Sequence, residues 1–376
     1  MASKNLQSAF SSPIAQSQAV KPAQSLENAW TEEPSVVYAL DAEGNRLFPY
    51  ILVVDEKNID GKVRLMNCMN RACLSETGRE TLQQSAETGL SFLLHPEMSD
   101  DRGGFYNHDH RVICINAHMN DDFMCNALVH EARHSIQFDQ VPKMNETFKD
   151  FDLDFKSFMI LNRAMEADAV AVQAKCAAEL AALGDTGVAE GAPNYRHVVN
   201  VYEQAAKEGK LDAPDTMKKA ADAWYKNYAT VDWYDNYYSE FEPKRVSGRK
   251  EIKTLSDEQP DFFVGSLFKF KDCQYAGNSA EYLKTPEKLS CSDKAYKRVA
   301  KANKMYGQTD TSIDRMYSVD PVSLRPTDCT HGQKKLAAKE KQKNNLKQKR
   351  DAFYNNKQPS SKQLLALKTK AKGRSF

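Results

Sequence analysis

The segment from Asp121 to Phe138, DDFMCNALVHEARHSIQF, constrains the fold of this chain more than any other. At about 100° per residue its apolar side chains cover most of the circumference of a helix, and only Asn126, Arg133 and Gln137 form a narrow polar strip. Such a helix is expected to be buried, with Asn120 or Asp121 as its cap. Yet Phe123, Ala127 and Phe138 share their face with His130, Glu131 and His134, so three ionisable groups point into packing. Burying them without partners costs several kcal/mol. A cation against that face is the compensation that makes physical sense.

The spacing His130-Glu131-Ala132-Arg133-His134 is H-E-x-x-H, which sets two imidazoles one helical turn apart with a carboxylate beside them. That is two metal ligands and a base for water. A catalytic zinc takes three protein ligands and keeps a fourth position open, so a further ligand is needed. The next long helix is expected from about Phe155 to Leu183, rich in helix formers and ended by Gly184. On it Glu166 shares a face with Met159, Ala169, Val170 and Ala177, whereas Asp168, about 200° around, sides with Lys175 and Glu179. The expected ligands are therefore His130, His134 and Glu166, with Glu131 as the base and one zinc ion per chain. Histidine and carboxylate also bind other divalent ions. Asp168 reads as a solvated acid or as support for a ligand, and Arg163 as an orienting cation or a surface residue. Glu146, in the connecting loop, is a weaker candidate ligand. Asp150, Asp152 and Asp154 alternate as at the start of a calcium loop, but Phe155 occupies the place that needs glycine.

Around these helices, VVYALDA (36–42) and RLFPYILVVD (46–55) read as a hairpin turning at Gly44. Ser75 caps a helix that runs to Gly89 with Leu82 as its apolar anchor. GLSFLLH reads as a strand, and GGFYNHDHRVICINAH as a glycine-led turn into a strand centred on Val112 to Ile115. A further amphipathic helix follows Leu211, with Met217, Ala221, Trp224, Tyr228 and Val231 along one stripe. The expected organisation is a disordered Ser/Gln/Ala/Pro leader over 1–35, a metal-binding domain over 36–245, and a turn-rich extension over 246–330 with one short helix near Ser292 to Lys304. A basic tail occupies 331–376. The tail holds 14 Lys and Arg against Glu340 and Asp351, while net charge over all 376 residues is +1, so an acidic body precedes a basic end. The tail offers weak contact with polyanions. No stretch is apolar enough for a membrane span, and the eight scattered cysteines, in which Cys68 and Cys73 lack the partners of a structural zinc site, suit a reducing, cytoplasmic compartment.

With its helical H-E-x-x-H and a glutamate on a later helix, the stretch from about 75 to 183 resembles the gluzincin branch of the zincin metallopeptidases. More closely, GGFYNHDHRVICINAHMNDDFMCNALVHEARHSIQ with RAMEADAVA is similar to a bacterial family of metallopeptidase-like proteins. The resemblance implies an α+β, zincin-like fold: a small mixed or antiparallel sheet packed on the buried H-E-x-x-H helix, with further helices below the cleft. It also implies that the strand around Ile113 borders the cleft and pairs with an extended peptide. The expected activity is hydrolysis of peptide bonds in a protein or peptide by metal-activated water, with an oxyanion donor among Tyr106, His108, His110, His118, Tyr234 and Tyr238. Two other readings stand beside it, a zincin-fold metal-binding module without hydrolysis, and a nucleic-acid or membrane adaptor working through the basic tail.

Overall fold

The computed structural model describes residues 34–53, 59–99, 102–140, 153–248, 252 and, with short breaks, 265–357. Residues 1–33 of the expected leader, Glu146, Asp150 and Asp152 lie outside the described residues. Alternating apolar residues and the positive φ of Gly44 give the expected hairpin of β1 (Ser35–Leu40) and β2 (Arg46–Val53). Two helices follow, α1 (Ile59–Cys73) and α2 (Glu76–Glu87), and Ser75 caps the second by accepting from the Gly78 amide. Then come β3 (Ser91–His95), β4 (Gly104–Asn107) and β5 (Val112–Asn116). The stretch expected as a turn into one strand is thus a two-stranded hairpin, because Gly104 opens the strand β4 and Phe105 and Tyr106 bury their rings on opposite faces.

The five strands form one mixed sheet in the order β1-β2-β3-β5-β4. β2, β3 and β5 run parallel, with β1 and β4 antiparallel at the two edges. β5, which carries Ile113, is therefore an inner strand with both sides paired. The expectation that it offers a free edge to a peptide is corrected: the edge on that side is β4. Strand alternation divides the core, sending Leu52, Phe92, Tyr106, Ile113 and Ile115 to the helical side and Val53, Leu93, Phe105, Val112 and Cys114 to the other.

On the helical side lies α3 (Asp121–Gln140), buried from Phe123 to Phe138 as its apolar circumference requires. It is covered by the sheet, by α1 and α2, and by α4 (Phe155–Ala182). Asp154 caps α4 by accepting from the Ser157 amide at 2.6 Å, which is its role in place of any calcium loop. Gly184, at φ +95°, follows the end of the helix. Below α4 pack α5 (Arg196–Lys207), α6 (Pro214–Lys226) and α7 (Tyr228–Glu240). The single amphipathic helix expected after Leu211 is in fact two, parted at Asn227, whose ψ of 82° is not helical and whose side chain caps α7.

The turn-rich stretch beyond 265 is packed rather than loose. Leu267, Phe268, Phe270, Tyr275, Cys291 and Ile313 join the same hydrophobic cluster as α3 and α4. It contains the short helix α8 (Asp293–Tyr306), capped by Ser292, and ends in α9 (His331–Lys357). All eight cysteines are free thiols. Among the described residues no helix is long and apolar enough to cross a membrane.

Candidate metal centre

α3 and α4 hold three donors between them. His130 and His134 lie one turn apart with their rings perpendicular and their Nε2 atoms 3.0 Å from each other. Glu166 reaches across from α4, with Oε2 3.4 Å from His130 Nε2 and Oε1 3.7 Å from His134 Nε2. One donor atom from each of the three lies within 4.8 Å of the others, and all three residues are fully buried. Among the described residues no other set of three His, Cys, Asp or Glu side chains converges in this way.

Each imidazole is held from behind by an amide oxygen. Gln137 Oε1 stands 2.8 Å from His134 Nδ1, and Gln173 Oε1 stands 3.2 Å from His130 Nδ1. The amide orientations follow from their other contacts: Gln137 Nε2 donates to Asp168 Oδ2 and Met165 O, and Gln173 Nε2 donates to Asn126 Oδ1. Asn126 is fixed in turn because its Nδ2 donates to the Val188 carbonyl at 2.7 Å. An amide oxygen only accepts, so each Nδ1 carries the proton and each Nε2 turns its lone pair into the site. Two lone pairs 3.0 Å apart repel unless a cation sits between them. The donor set therefore fits a metal ion.

The three side chains also act on one another through their charges. Burial acts to raise the Glu166 carboxyl, but His134, together with the contacts from both imidazoles, outweighs it and holds the group well below the usual carboxylate range. His130 is lowered by burial, with Glu166 opposing, whereas His134, subject to the same burial, is raised because Glu166 and Glu131 outweigh it.

Glu131 is placed differently. Burial, with the Glu166 charge adding to it and His134 opposing, pushes its carboxyl up to about 8. Neither oxygen reaches a hydrogen-bond partner of ordinary geometry, although the Tyr106 backbone amide faces the carboxylate. A buried carboxylate so poorly satisfied costs several kcal/mol, a cost that folding alone gives no reason to keep. Gly104 makes room for it: a Cβ there would stand 3.2 Å from Glu131 Cγ and 2.9 Å from the Cys114 carbonyl. The glycine thus lets the edge strand lie directly against the base.

The remaining candidates divide. Tyr238 donates to Glu166 Oε1 at 2.9 Å, and Tyr234 shares a 3.1 Å hydroxyl contact with Tyr195, which sequence reasoning did not single out. The Tyr106 ring packs against Phe138, on which His108 stacks. His110 lies exposed at the β4–β5 turn, and His118 is exposed with Nε2 2.7 Å from the Pro96 carbonyl, so neither is brought to the metal donors. Arg163 is not a surface residue: it is buried, paired with Asp235, and donates to the Lys288 and Ser290 carbonyls. Asp168 is not a solvated acid. It is fully buried, accepts from Arg133 Nε and Gln137 Nε2 at 2.6 Å each, and also accepts from the Tyr275 hydroxyl. The sequence places Gln137 only in a polar strip and does not single out Gln173, although each lies on the face of a neighbour already singled out, three residues past His134 and seven past Glu166.

Two imidazoles and a carboxylate on packed helices, with a second carboxylate alongside, make up a donor set that could hold a metal ion. The model of a family described as "Putative metallopeptidase family (DUF6782)" matches residues 51–265, and the chain belongs to that family. The matched region contains α3, α4 and all four residues of the site. No curated protein and no solved structure matches the chain.

Proposed function

We propose that this chain is a zinc-dependent metallopeptidase of the zincin type, with a gluzincin-like ligand set of His130, His134 and Glu166 and with Glu131 as general base. The observation that carries the reading is the convergence of those three donors beside a buried, poorly satisfied carboxylate. His130, His134 and Glu166 would hold the zinc ion, which when bound would acidify a water and polarise the scissile carbonyl. The work of the chain is to hold the parts in register. Gln137 and Gln173 keep each Nδ1 protonated, so that both Nε2 atoms stay available as ligands. Tyr238 holds Glu166 in place through Oε1. Glu131 takes the proton of the attacking water and passes it to the leaving amine. Its apolar surroundings favour the protonated form that the second half of this transfer requires. β4, as the edge strand beside Glu131, is where an extended peptide would add to the sheet.

Elemental analysis together with a broad peptide-cleavage screen tests the proposal. About one zinc per chain is expected in the wild type and in Glu131→Gln, with cleavage in the variant reduced on the order of 10²–10⁴-fold. Zinc with no cleavage in the wild type would leave a metal-binding module without hydrolysis. Failure to retain zinc would remove the metallopeptidase reading altogether.

A further inference from the structure

Helix α9 takes no part in the metal centre, and its placement calls for a separate explanation. Its root is fixed. His331 is buried, stacks on Tyr296 at 4.6 Å, contacts the Cys291 carbonyl through Nε2 at 2.7 Å, and donates its backbone N–H to the Met316 carbonyl at 2.9 Å. Beyond that first turn the helix leaves the body, and every residue from Gln333 to Arg350 is exposed. This arm is about 27 Å long at 1.5 Å per residue. Lys334 and Lys335 lean back toward Asp293 and Asp314. Six cations, Lys339, Lys341, Lys343, Lys347, Lys349 and Arg350, lie further out, with Glu340 among them.

The arrangement of those cations selects among polyanions. At about 100° per residue Lys341 and Arg350 emerge on opposite sides of the helix, so the positive charge is not confined to one face. A helix that lies within a membrane interface buries an apolar face, for which the exposed Leu336 and Leu346 are too few. Charge on both sides suits a groove walled by two phosphate strands. Between the cations stand Gln342, Asn344, Asn345 and Gln348, amides of the kind that hydrogen-bond base edges. The major groove of B-form DNA, about 12 Å wide, admits a helix of about 10–12 Å diameter. The corresponding groove of duplex RNA is too narrow. The rest of the chain, residues 1–330, carries 38 basic residues (52 − 14) and 49 acidic ones (51 − 2), a net −11 that DNA repels. An arm projecting from a fixed root keeps that body at a distance.

We propose that α9 is a docking arm that lies in the major groove of duplex DNA. The proposal is independent of the peptidase reading. Its test is fluorescence anisotropy of full-length protein with a labelled DNA duplex, run beside a duplex RNA of the same length and vesicles of phosphatidylserine and phosphatidylcholine. Sedimentation reports self-association. Tightest binding to the DNA duplex is expected. Changing Lys341, Lys343, Lys347, Lys349 and Arg350 together to Gln should weaken binding at least 100-fold at 50 mM salt and flatten the log–log salt slope by about 4.5, as the loss of five phosphate contacts requires. Glu340→Lys leaves the helix formers in place and is expected to tighten binding several-fold. The proposal is overturned by no DNA binding at 50 mM salt, by unchanged affinity in both variants, by tighter binding to RNA or to vesicles, or by cations that serve only self-association.

Discussion

Gln137 Oε1 lies 2.8 Å from His134 Nδ1, and the same amide donates from Nε2 to Asp168 at 2.6 Å, so one neutral side chain ties an imidazole of the candidate metal centre to a buried ion pair. Partners behind a ligand fix its ring and its tautomer. Gln137→Ala is expected to weaken zinc binding by about 10–100-fold while His130, His134 and Glu166 all remain. Competition against a chromophoric chelator reads that loss directly. Unchanged affinity would mean that the packing of α3 alone orients the ring.

Gly104→Ala should act on Glu131 rather than on the metal. The added methyl meets Glu131 Cγ at 3.2 Å and the Cys114 carbonyl at 2.9 Å, and the backbone cannot yield as a flexible side chain would. The expected cost is about 1–3 kcal/mol of overpacking. Thermal unfolding measures that cost, and zinc content should stay near one per chain while any cleavage rate falls.

Asp168→Ala removes the carboxylate that Arg133 pairs with in a fully buried setting. Leaving that guanidinium uncompensated is expected to destabilise the fold by about 3–5 kcal/mol. Tyr275→Phe, which removes a single hydroxyl donor to the same carboxylate, should cost only about 1–3 kcal/mol. Denaturant midpoints at constant m-value distinguish the two.

Arg71 provides a pH-dependent term away from the site. It donates to both carboxylate oxygens of Asp185 at 2.6 Å and also pairs with Asp122. Its hydrogen bonds hold the Asp185 carboxyl below the ordinary value of 3.8. A carboxyl whose folded value is depressed adds stability above its unfolded value, and that contribution disappears as the pH falls through the folded one. Asp185→Asn should therefore be less stable than wild type at pH 7, by less than about 1 kcal/mol because the pair is partly exposed. The two unfolding curves should converge below pH 3.8.

The centre of the site was legible because its signals are local. H-E-x-x-H fixes His130, Glu131 and His134 on one helix, and the apolar company of Glu166 turns it inward on the next. What escaped depends on contacts distant in sequence. Asp168 looked solvated because the opposite side of α4 bears Lys175 and Glu179, yet that side is covered by Leu267, Lys269 and Tyr275, from a stretch that reads as irregular chain. β4 escaped because GGFYN begins with two glycines, and its strand character comes from pairing with β5. The Ile59–Cys73 helix carries Gly61 and Asn67 among scattered apolar residues, and it is settled by packing on α3. Which of β4 and β5 forms the edge is a property of sheet order, and no periodicity within either strand encodes it.

Arg133 sits inside the H-E-x-x-H pattern, but its hydrogen-bond acceptors on the chain's later part, the Leu267 and Lys269 carbonyls, begin two residues after the family match stops at 265. The span that the family model covers and the span that completes the fold around the H-E-x-x-H helix therefore end at different places. A recombinant fragment trimmed to the covered span would strip a buried guanidinium of two acceptors and Asp168 of the Tyr275 hydroxyl. In relatives that diverge past that point, position 133 and the residues after 265 should change together.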